Sequence, residues 1–288
     1  MSLLSVENIC VEYKSFKLDN VSFDLNQGEI IGFVGRNGAG KSTTINAVIG
    51  LAKRSNGKVF YCGQDIDSTN IHILKQNIGY IGDFSDCYPN VRVRHLVGFV
   101  ASLYDQWDKE KAAYYLNTLF KIDQGKAMKE LSSGTRVKLG LAMALSHDAK
   151  ILILDEPTSG LDPLVREEVL QILHDLVSTE GRSVFFSSHI IDDIRDVADK
   201  VMYIVDGKIR LSCRKDELSV HFTSIKSTDV PDKMLPHLNK SISRGGRLIL
   251  ARTDIPDEIE KDVNGFEKVT IEDVLIYLNG GISYDGAH

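Results

Sequence analysis

Apolar residues along this chain fall into short unbroken runs, separated by polar turns and by stretches with helical spacing. Residues 3–34 read as short strands with polar turns, ending in Ile30-Ile31-Gly32-Phe33-Val34. A glycine-rich turn follows, then a helix-compatible stretch from Ser42 to about Leu51. Lys58-Val59-Phe60-Tyr61 and Ile78-Gly79-Tyr80-Ile81 are again strand-like. From about Arg92 to Leu145 apolar residues such as Leu116, Leu119 and Phe120 recur at three or four positions, the period of a helix. Ile151-Leu152-Ile153-Leu154 and Val184-Phe185-Phe186 are apolar at consecutive positions, as strands buried on both faces of a parallel sheet require. A helix from Pro163 to about Thr179 is predicted between them, and Val201–Val205, Asp206-Gly207 and Lys208–Leu211 predict a hairpin. Strands alternating with helices make an α/β chain. Past about residue 220 the pattern weakens to a strand at Leu248–Ala251 and a helix at Ile271–Leu278, a small α+β tail.

Composition narrows the class without changing this picture. The 288 residues suit one large domain with a small appendage better than two full domains. Hydrophobic content of 43% and charged content of 26% are ordinary for a soluble globular protein. A net charge of −6 speaks against a general nucleic-acid binder, so no nucleic-acid partner is expected. Cys10, Cys62, Cys87 and Cys213 are far apart and form no CxxC pair, which predicts reduced thiols rather than a disulfide framework or a zinc site. The N-terminus lacks the basic stretch and apolar core of a signal peptide. No apolar run approaches the roughly 20 residues needed to cross a bilayer, so any membrane role is expected to come through a partner.

The first chemistry lies in Gly35-Arg36-Asn37-Gly38-Ala39-Gly40-Lys41-Ser42, a complete G-x-x-x-x-G-K-[ST] between a predicted strand and a predicted helix. Glycines let the backbone wrap phosphate oxygens with its N–H groups, and the helix start adds its positive end. Lys41 supplies charge to the β- and γ-phosphates, and the Ser42 hydroxyl can ligate Mg²⁺. Thr43 extends the set of nucleotide contacts. Asp155 and Glu156 follow the apolar run 151–154, at the strand end where parallel sheets bind ligands. Asp155 is placed to hold Mg²⁺ through a water, and Glu156 to orient or deprotonate an attacking water.

With these residues in view the chain resembles the ABC ATPase family over roughly residues 3–220. Leu131-Ser132-Ser133-Gly134-Thr135 stands where the family carries its LSGGQ signature, about twenty residues before Asp155. Asp155-Glu156-Pro157-Thr158-Ser159-Gly160-Leu161-Asp162 looks like the family's Walker B sequence running into its D-loop, and Ser188-His189 looks like its switch histidine. Tyr13 is placed like the family's adenine-stacking aromatic, with Phe16 as an alternative. The resemblance implies a P-loop NTPase core with a parallel sheet, an antiparallel β-subdomain and an inserted helical subdomain. It implies an ATPase domain at 1–220, with the helical subdomain at about 84–147, and an accessory region at 221–288. It also implies two Mg-ATP sandwiched between two such domains, as a homodimer or with a second ABC ATPase. Ser132 and Gly134 would cap the γ-phosphate held by the other subunit, His189 would bond the γ-phosphate of its own, and Asp162 would shape the neighbour's site. Ser132 and Asp162 are also plain helix N-caps in sequence terms.

Three departures from the family pattern stand out. Asp83 follows Ile78-Gly79-Tyr80-Ile81-Gly82 where a glutamine is usual, and it is a further candidate for Mg²⁺ through water. Ser133 replaces the first signature glycine, and Thr135 replaces its glutamine. Asp86–Phe99 corresponds to the part of the family that receives a short helix of the transmembrane subunit, or else is a solvated loop leading into a helix. The resemblance is strongest to drug- and antibiotic-export ATPases. It therefore implies an ATP-hydrolysing subunit driving separate permease subunits in export, on the cytoplasmic face of the cell membrane. The alternative is a soluble ABC ATPase acting on ribosomes or DNA; a P-loop kinase would leave the signature, D-loop and switch histidine unused.

Overall fold

The structure, a computed structural model, describes residues 2–68, 75–82, 88–263 and 265–280. The chain divides into two compact units, Met1–Ile209 and Arg210–His288. Asp83, Asp86 and Cys87 lie outside the described residues.

In the first unit the long strands β1 (Ser2–Glu12) and β2 (Lys17–Asn26) pair antiparallel, and β4 (Asn56–Tyr61) and β5 (Gln64–Asp65) extend them in the order β2-β1-β4-β5. β2 alternates buried and exposed residues along Leu18, Val21, Phe23 and Leu25, the period of a sheet with one wet face. The second sheet holds β3 (Ile30–Val34), β6 (Ile78–Ile81), β7 (Ile151–Leu154), β8 (Ser183–Ser188), β9 (Lys200–Val205) and β10 (Lys208–Arg214), in the order β10-β9-β3-β8-β7-β6. β3, β8, β7 and β6 run parallel to their neighbours, and every residue of β3, β7 and β8 is buried. Consecutive apolar residues were the sequence mark of such strands, and a sheet covered on both faces is the physical reason. Phe185 stacks on Phe23 with ring centres 4.9 Å apart, so the two sheets share one core.

The α-helices that lie wholly within the described residues of this unit are α1 (Lys41–Val48), α2 (Val93–Ala101), α3 (Lys109–Ala113), α4 (Ser133–Ser146), α5 (Pro163–Glu180) and α6 (Ile191–Val197). The helical periodicity predicted from Arg92 to Leu145 is thus carried by separate pieces. α2 and α3 are divided by a loop, Asp108 caps α3 through the N–H groups of Glu110 and Lys111, a π-helical turn covers Tyr114–Leu119, and Ser132 restarts the chain as the N-cap of α4. Capping residues within a periodic stretch break it without disturbing the apolar spacing.

The second unit is a small antiparallel sheet, β11 (Phe222–Lys226), β12 (Ile242–Arg244) and β13 (Arg247–Ala251), in the order β11-β13-β12. Short helices α7 (Leu218–His221) and α8 (Asp257–Asp262) and the longer α9 (Ile271–Leu278) accompany it. Its core is Ile225, Met234, Leu250, Ile255 and Ile259.

Candidate functional site

Neighbouring strands of the parallel sheet deliver the sequence motifs to one edge. β3 ends at Val34 and opens the phosphate loop, β7 ends at Leu154 before Asp155 and Glu156, and β8, which lies between them, ends at Ser188 before His189. Register places Val34 beside Ser188, and Leu154 beside Phe186. Carboxyl ends of adjacent parallel strands are where such sheets bind ligands.

The phosphate loop is held by its glycines. Gly40, the N-cap of α1, has φ +115°, and a Cβ there would lie 2.8 Å from Phe16 Cζ, so a side chain would be strained and would collide. Lys41 is 5% exposed, and its Nζ donates to the Gly35 carbonyl at 2.6 Å and the Arg36 carbonyl at 3.2 Å. The same ammonium pairs with Glu156 Oε1 at 3.0 Å, and Glu156 Oε2 lies 2.6 Å from His189 Nδ1. One carboxylate thus bridges the lysine of the loop and the histidine that follows β8.

Glu156 has φ +52°, a left-handed conformation that a non-glycine residue adopts only where surroundings enforce it. Ser187, fully buried in β8, anchors its backbone: the hydroxyl accepts the Glu156 N–H at 2.9 Å and donates to Asp155 Oδ1 at 2.7 Å. Sequence reasoning missed Ser187, although its position two residues before the histidine on a buried strand was a usable signal.

A cleft of about 630 Å³ opens over these groups. Tyr13, Asn37, Gly38, Gly40, Lys41, Ser42, Thr43, Glu156 and His189 all line it, as does Phe16. Gly35 and Ala39 sit behind the lining: Gly35 gives its carbonyl to Lys41, and Ala39 is buried with its carbonyl accepting the Gly207 N–H. Tyr13 is 55% exposed at the rim, and its N–H donates to the Phe16 carbonyl, so both aromatics belong to one turn.

Ser132, Gly134 and Asp162 are not among the residues lining that cleft. Ser132 Oγ caps α4 by accepting the Thr135 N–H and lies 2.8 Å from the Thr135 hydroxyl. Gly134 is buried against α5: a Cβ there would sit 2.4 Å from Val165 Cγ1, so only glycine lets the two helices approach. Asp162 caps α5 through the N–H groups of Leu164 and Val165, with Pro163 at the first helical position.

For a metal, the candidate donors are hard oxygens of the kind Mg²⁺ takes: the Ser42 hydroxyl, which lines the cleft, and the Asp155 carboxylate, which does not line it but lines an adjoining pocket with Gly82 and Ser133 and accepts from Ser187. Among the described residues no three His, Cys, Asp or Glu side chains cluster as a protein cage.

Comparisons with known proteins bear on the family and the fold. Residues 18–159 match the family model described as ABC transporter. The ABC transporter ATP-binding protein YhcH of Bacillus subtilis is 34% identical over 250 residues, 84% of this chain and 82% of that protein. The bacitracin transport ATP-binding protein BcrA of Bacillus licheniformis is 33% identical over 210 residues, 72% of this chain and 68% of that protein. Among solved structures, an ATP-binding subunit of an ABC transporter superposes with a TM-score of 0.68 at 23% identity over 76% of this chain and 92% of that one, a likeness of fold. CbiO1 from Clostridium perfringens superposes with a TM-score of 0.63 at 25% identity, over 74% of this chain and 88% of that one. A phosphate loop and two carboxylates on a P-loop NTPase sheet, matched by relatives one-third identical over most of both chains, make this chain a member of the ABC transporter ATP-binding family and an ATPase.

Proposed function

We propose that the chain is the ATPase subunit of an exporter with separate membrane-spanning subunits, and that it hydrolyses ATP as a pair around two nucleotides. The observation that carries the mechanism is the meeting of Lys41, Glu156 and His189 over the phosphate loop. Phosphate oxygens entering the loop compete for the Lys41 ammonium, because an anion of higher charge outbids a single carboxylate. Glu156, released from Lys41 and held in place through its backbone by Ser187, then orients the attacking water and accepts its proton. His189 holds the γ-phosphate end, and the N–H groups of the loop stabilise charge that grows in the transition state. Ser42 and Asp155 would hold Mg²⁺, which neutralises charge on the β- and γ-phosphates when bound. Tyr13 or Phe16 stacks on the adenine.

Pairing is supported by Ser132 and Asp162, exposed helix N-caps that stand outside their own chain's cleft, which suits contacts to a neighbour's nucleotide, while Gly134, buried against α5, lets the two helix starts lie together. One dimeric ABC transporter cassette is among the similar folds, with a TM-score of 0.65 at 22% identity. The membrane-facing surface is assigned to α2, where Val93 alone is buried and Phe99 is 56% exposed, with Tyr88 and Leu103 exposed on either side. Exposed apolar side chains grouped in this way suit a partner helix. No helix among the described residues is long and apolar enough to cross a membrane. The similar CbiO1 is described as part of the ABC transporter complex CbiONQ, and BcrA as a bacitracin transport protein, which supports separate subunits and transport of a drug-like molecule, with export the direction that the family resemblance implies.

Glu156→Gln tests the reading. The variant is expected to bind ATP as the parent does, to lose turnover by roughly 10²-fold or more, and to accumulate as an ATP-bound pair in size-exclusion chromatography. Turnover at the parent rate would remove Glu156 from its role. Co-purification with a polytopic membrane protein is the expected partner result, and stable ribosome association would replace it with the soluble alternative.

A further inference from the structure

A second carboxylate, fully buried, lies one layer behind the cleft. Asp193, in the first turn of α6, is 0% exposed and accepts hydrogen bonds from three side chains on three other segments. The Thr158 hydroxyl donates to Oδ2 at 2.6 Å, the Ser188 hydroxyl donates to the same oxygen at 2.9 Å, and Arg166 Nε donates to Oδ1. Ser188 in turn accepts the N–H of Ile190, so both residues flanking His189 are tied to this node. Thr158 lies two residues after Glu156 and is itself buried, with its carbonyl accepting the Leu161 N–H. Arg166 is on the first turn of α5, and its own N–H closes on the Asp162 carbonyl at 2.9 Å.

We infer that Asp193 and Arg166 form a positioning pair that relays the placement of Asp162 to His189. Three facts support a relay rather than a simple core ion pair. The node connects the segment from Glu156 to Asp162 with the segment from Ser188 to Asp193, and it touches no reacting group itself. Arg166 is one helical turn from Asp162, so a displacement of the start of α5 moves its guanidinium directly. Asp193 Oδ2 is shared between Thr158 and Ser188, so a shift of the carboxylate is felt at once on both sides of the Glu156–His189 contact. The inference rests on the paired, ATP-hydrolysing reading above and adds to it a route by which engagement of Asp162 by a second copy changes hydrolysis in its own chain. Because three donors converge on one buried carboxylate, a displacement of one of them disturbs the bonds to the other two.

The test uses the full chain with Arg166→Gln, Asp193→Asn, their double variant and the conservative Asp193→Glu. ATP affinity is read by fluorescent nucleotide titration, fold by thermal unfolding, pairing by size exclusion with ATP, and hydrolysis as kcat and Hill coefficient. Arg166→Gln and Asp193→Asn are expected to bind nucleotide within about twofold of the parent while kcat falls roughly 3- to 30-fold and the Hill coefficient drops towards one. Because both residues act on one path, the double variant should cost about as much as either single change rather than their product. Asp193→Glu, which keeps the carboxylate, should regain part of the loss. Parent-like kcat and Hill coefficient in Arg166→Gln would overturn the inference, and so would losses in Asp193→Asn that scale with lowered melting temperature and lowered ATP affinity. A parent protein that binds ATP without pairing would instead overturn the reading on which the inference rests, so the two failures are told apart by the parent alone.

Discussion

At the carboxyl ends of β3, β8 and β7 the reactive side chains have fixed partners, whereas the helical segment from Tyr88 to Ser146 leaves large apolar side chains in solvent. Lys41 donates to two carbonyls and pairs with Glu156, Glu156 meets His189, and Asp155 is held by Ser187. Along α2, by contrast, only Val93 is buried, while Tyr88, Phe99, Leu103, Tyr114 and Leu119 are exposed across the segment. The difference fits the two tasks proposed for these regions. Charge that develops in a transition state is stabilised by groups already in position, so the cleft is built on buried strands. Docking of another chain, the role proposed for the helical segment, needs apolar surface that its own fold has not covered.

Breaking the cleft should have the largest effect. Lys41→Ala removes the only lysine or arginine that lines it among the described residues and breaks the Glu156 ion pair. We expect a loss of about 3 kcal/mol in ATP binding, roughly a hundredfold in Kd, measurable by nucleotide titration. Unchanged affinity would sink the assignment of the phosphate loop. Ser187→Ala comes next. It deletes one hydroxyl and two hydrogen bonds, at about 1 kcal/mol each, so kcat should fall roughly 10- to 30-fold with nucleotide affinity little changed. Ser187→Thr, which keeps the hydroxyl, should restore most of the rate.

The same comparison predicts the reverse signature on the helical side. Phe99→Glu puts a charge on a side chain that is 56% exposed, so the isolated chain should hydrolyse ATP and unfold as the parent does. Binding to the membrane partner should weaken by about 2 kcal/mol, as loss of an aromatic anchor typically costs. A pull-down with the permease and a parallel ATPase assay separate the two readouts. Parent-like capture would move the docking surface away from α2.

Much of the cleft was legible in the sequence because its parts are local. The phosphate loop is eight consecutive residues, Asp155 and Glu156 directly follow four apolar ones, and each buried strand shows as an unbroken apolar run. The hairpin turn at Asp206-Gly207 was readable for the same reason, and both residues have positive φ as that turn demands. What stayed hidden are contacts between residues distant in sequence. Ser187 meets Asp155 across 32 positions and Asp193 meets Thr158 across 35, and no periodicity encodes either. In the helical segment the apolar spacing was visible, but its division into α2, α3, a π-helical turn and α4 depends on caps that look like ordinary surface polars. Ser132 is such a residue: its hydroxyl caps α4 by accepting the Thr135 N–H.

The smallest expected effect concerns how the helical segment is fastened at its end. His147 follows α4, is 3% exposed, and stacks on Tyr104 with ring centres 3.6 Å apart and planes 11° from parallel. Its Nδ1 lies 3.0 Å from the Gln76 carbonyl, and the Gln76 side chain bonds the Leu103 carbonyl and the Asp105 N–H, so the histidine joins β6's approach, the loop after α2 and the end of α4. Burial pushes the imidazole pKa below its ordinary value, more than the bond to the Gln76 carbonyl draws it up. The unfolded chain takes up a proton near pH 6.5, about the free imidazole value, while the folded chain resists it. Stability from this residue is therefore fully present above that pH and declines as pH falls through the window between the unfolded and the lowered folded pKa. His147→Gln keeps a polar group but cannot titrate, so its urea midpoint should fall less between pH 8 and pH 5.5 than the parent's, although it starts lower by about 1 kcal/mol for the lost stacking (both pH values chosen roughly to bracket the imidazole range). ATP affinity at pH 8 should be the same in both proteins, since His147 does not line the cleft. Equal falls in the two midpoints would show that the acid sensitivity arises elsewhere, and would leave the Tyr104–His147 stack as packing alone.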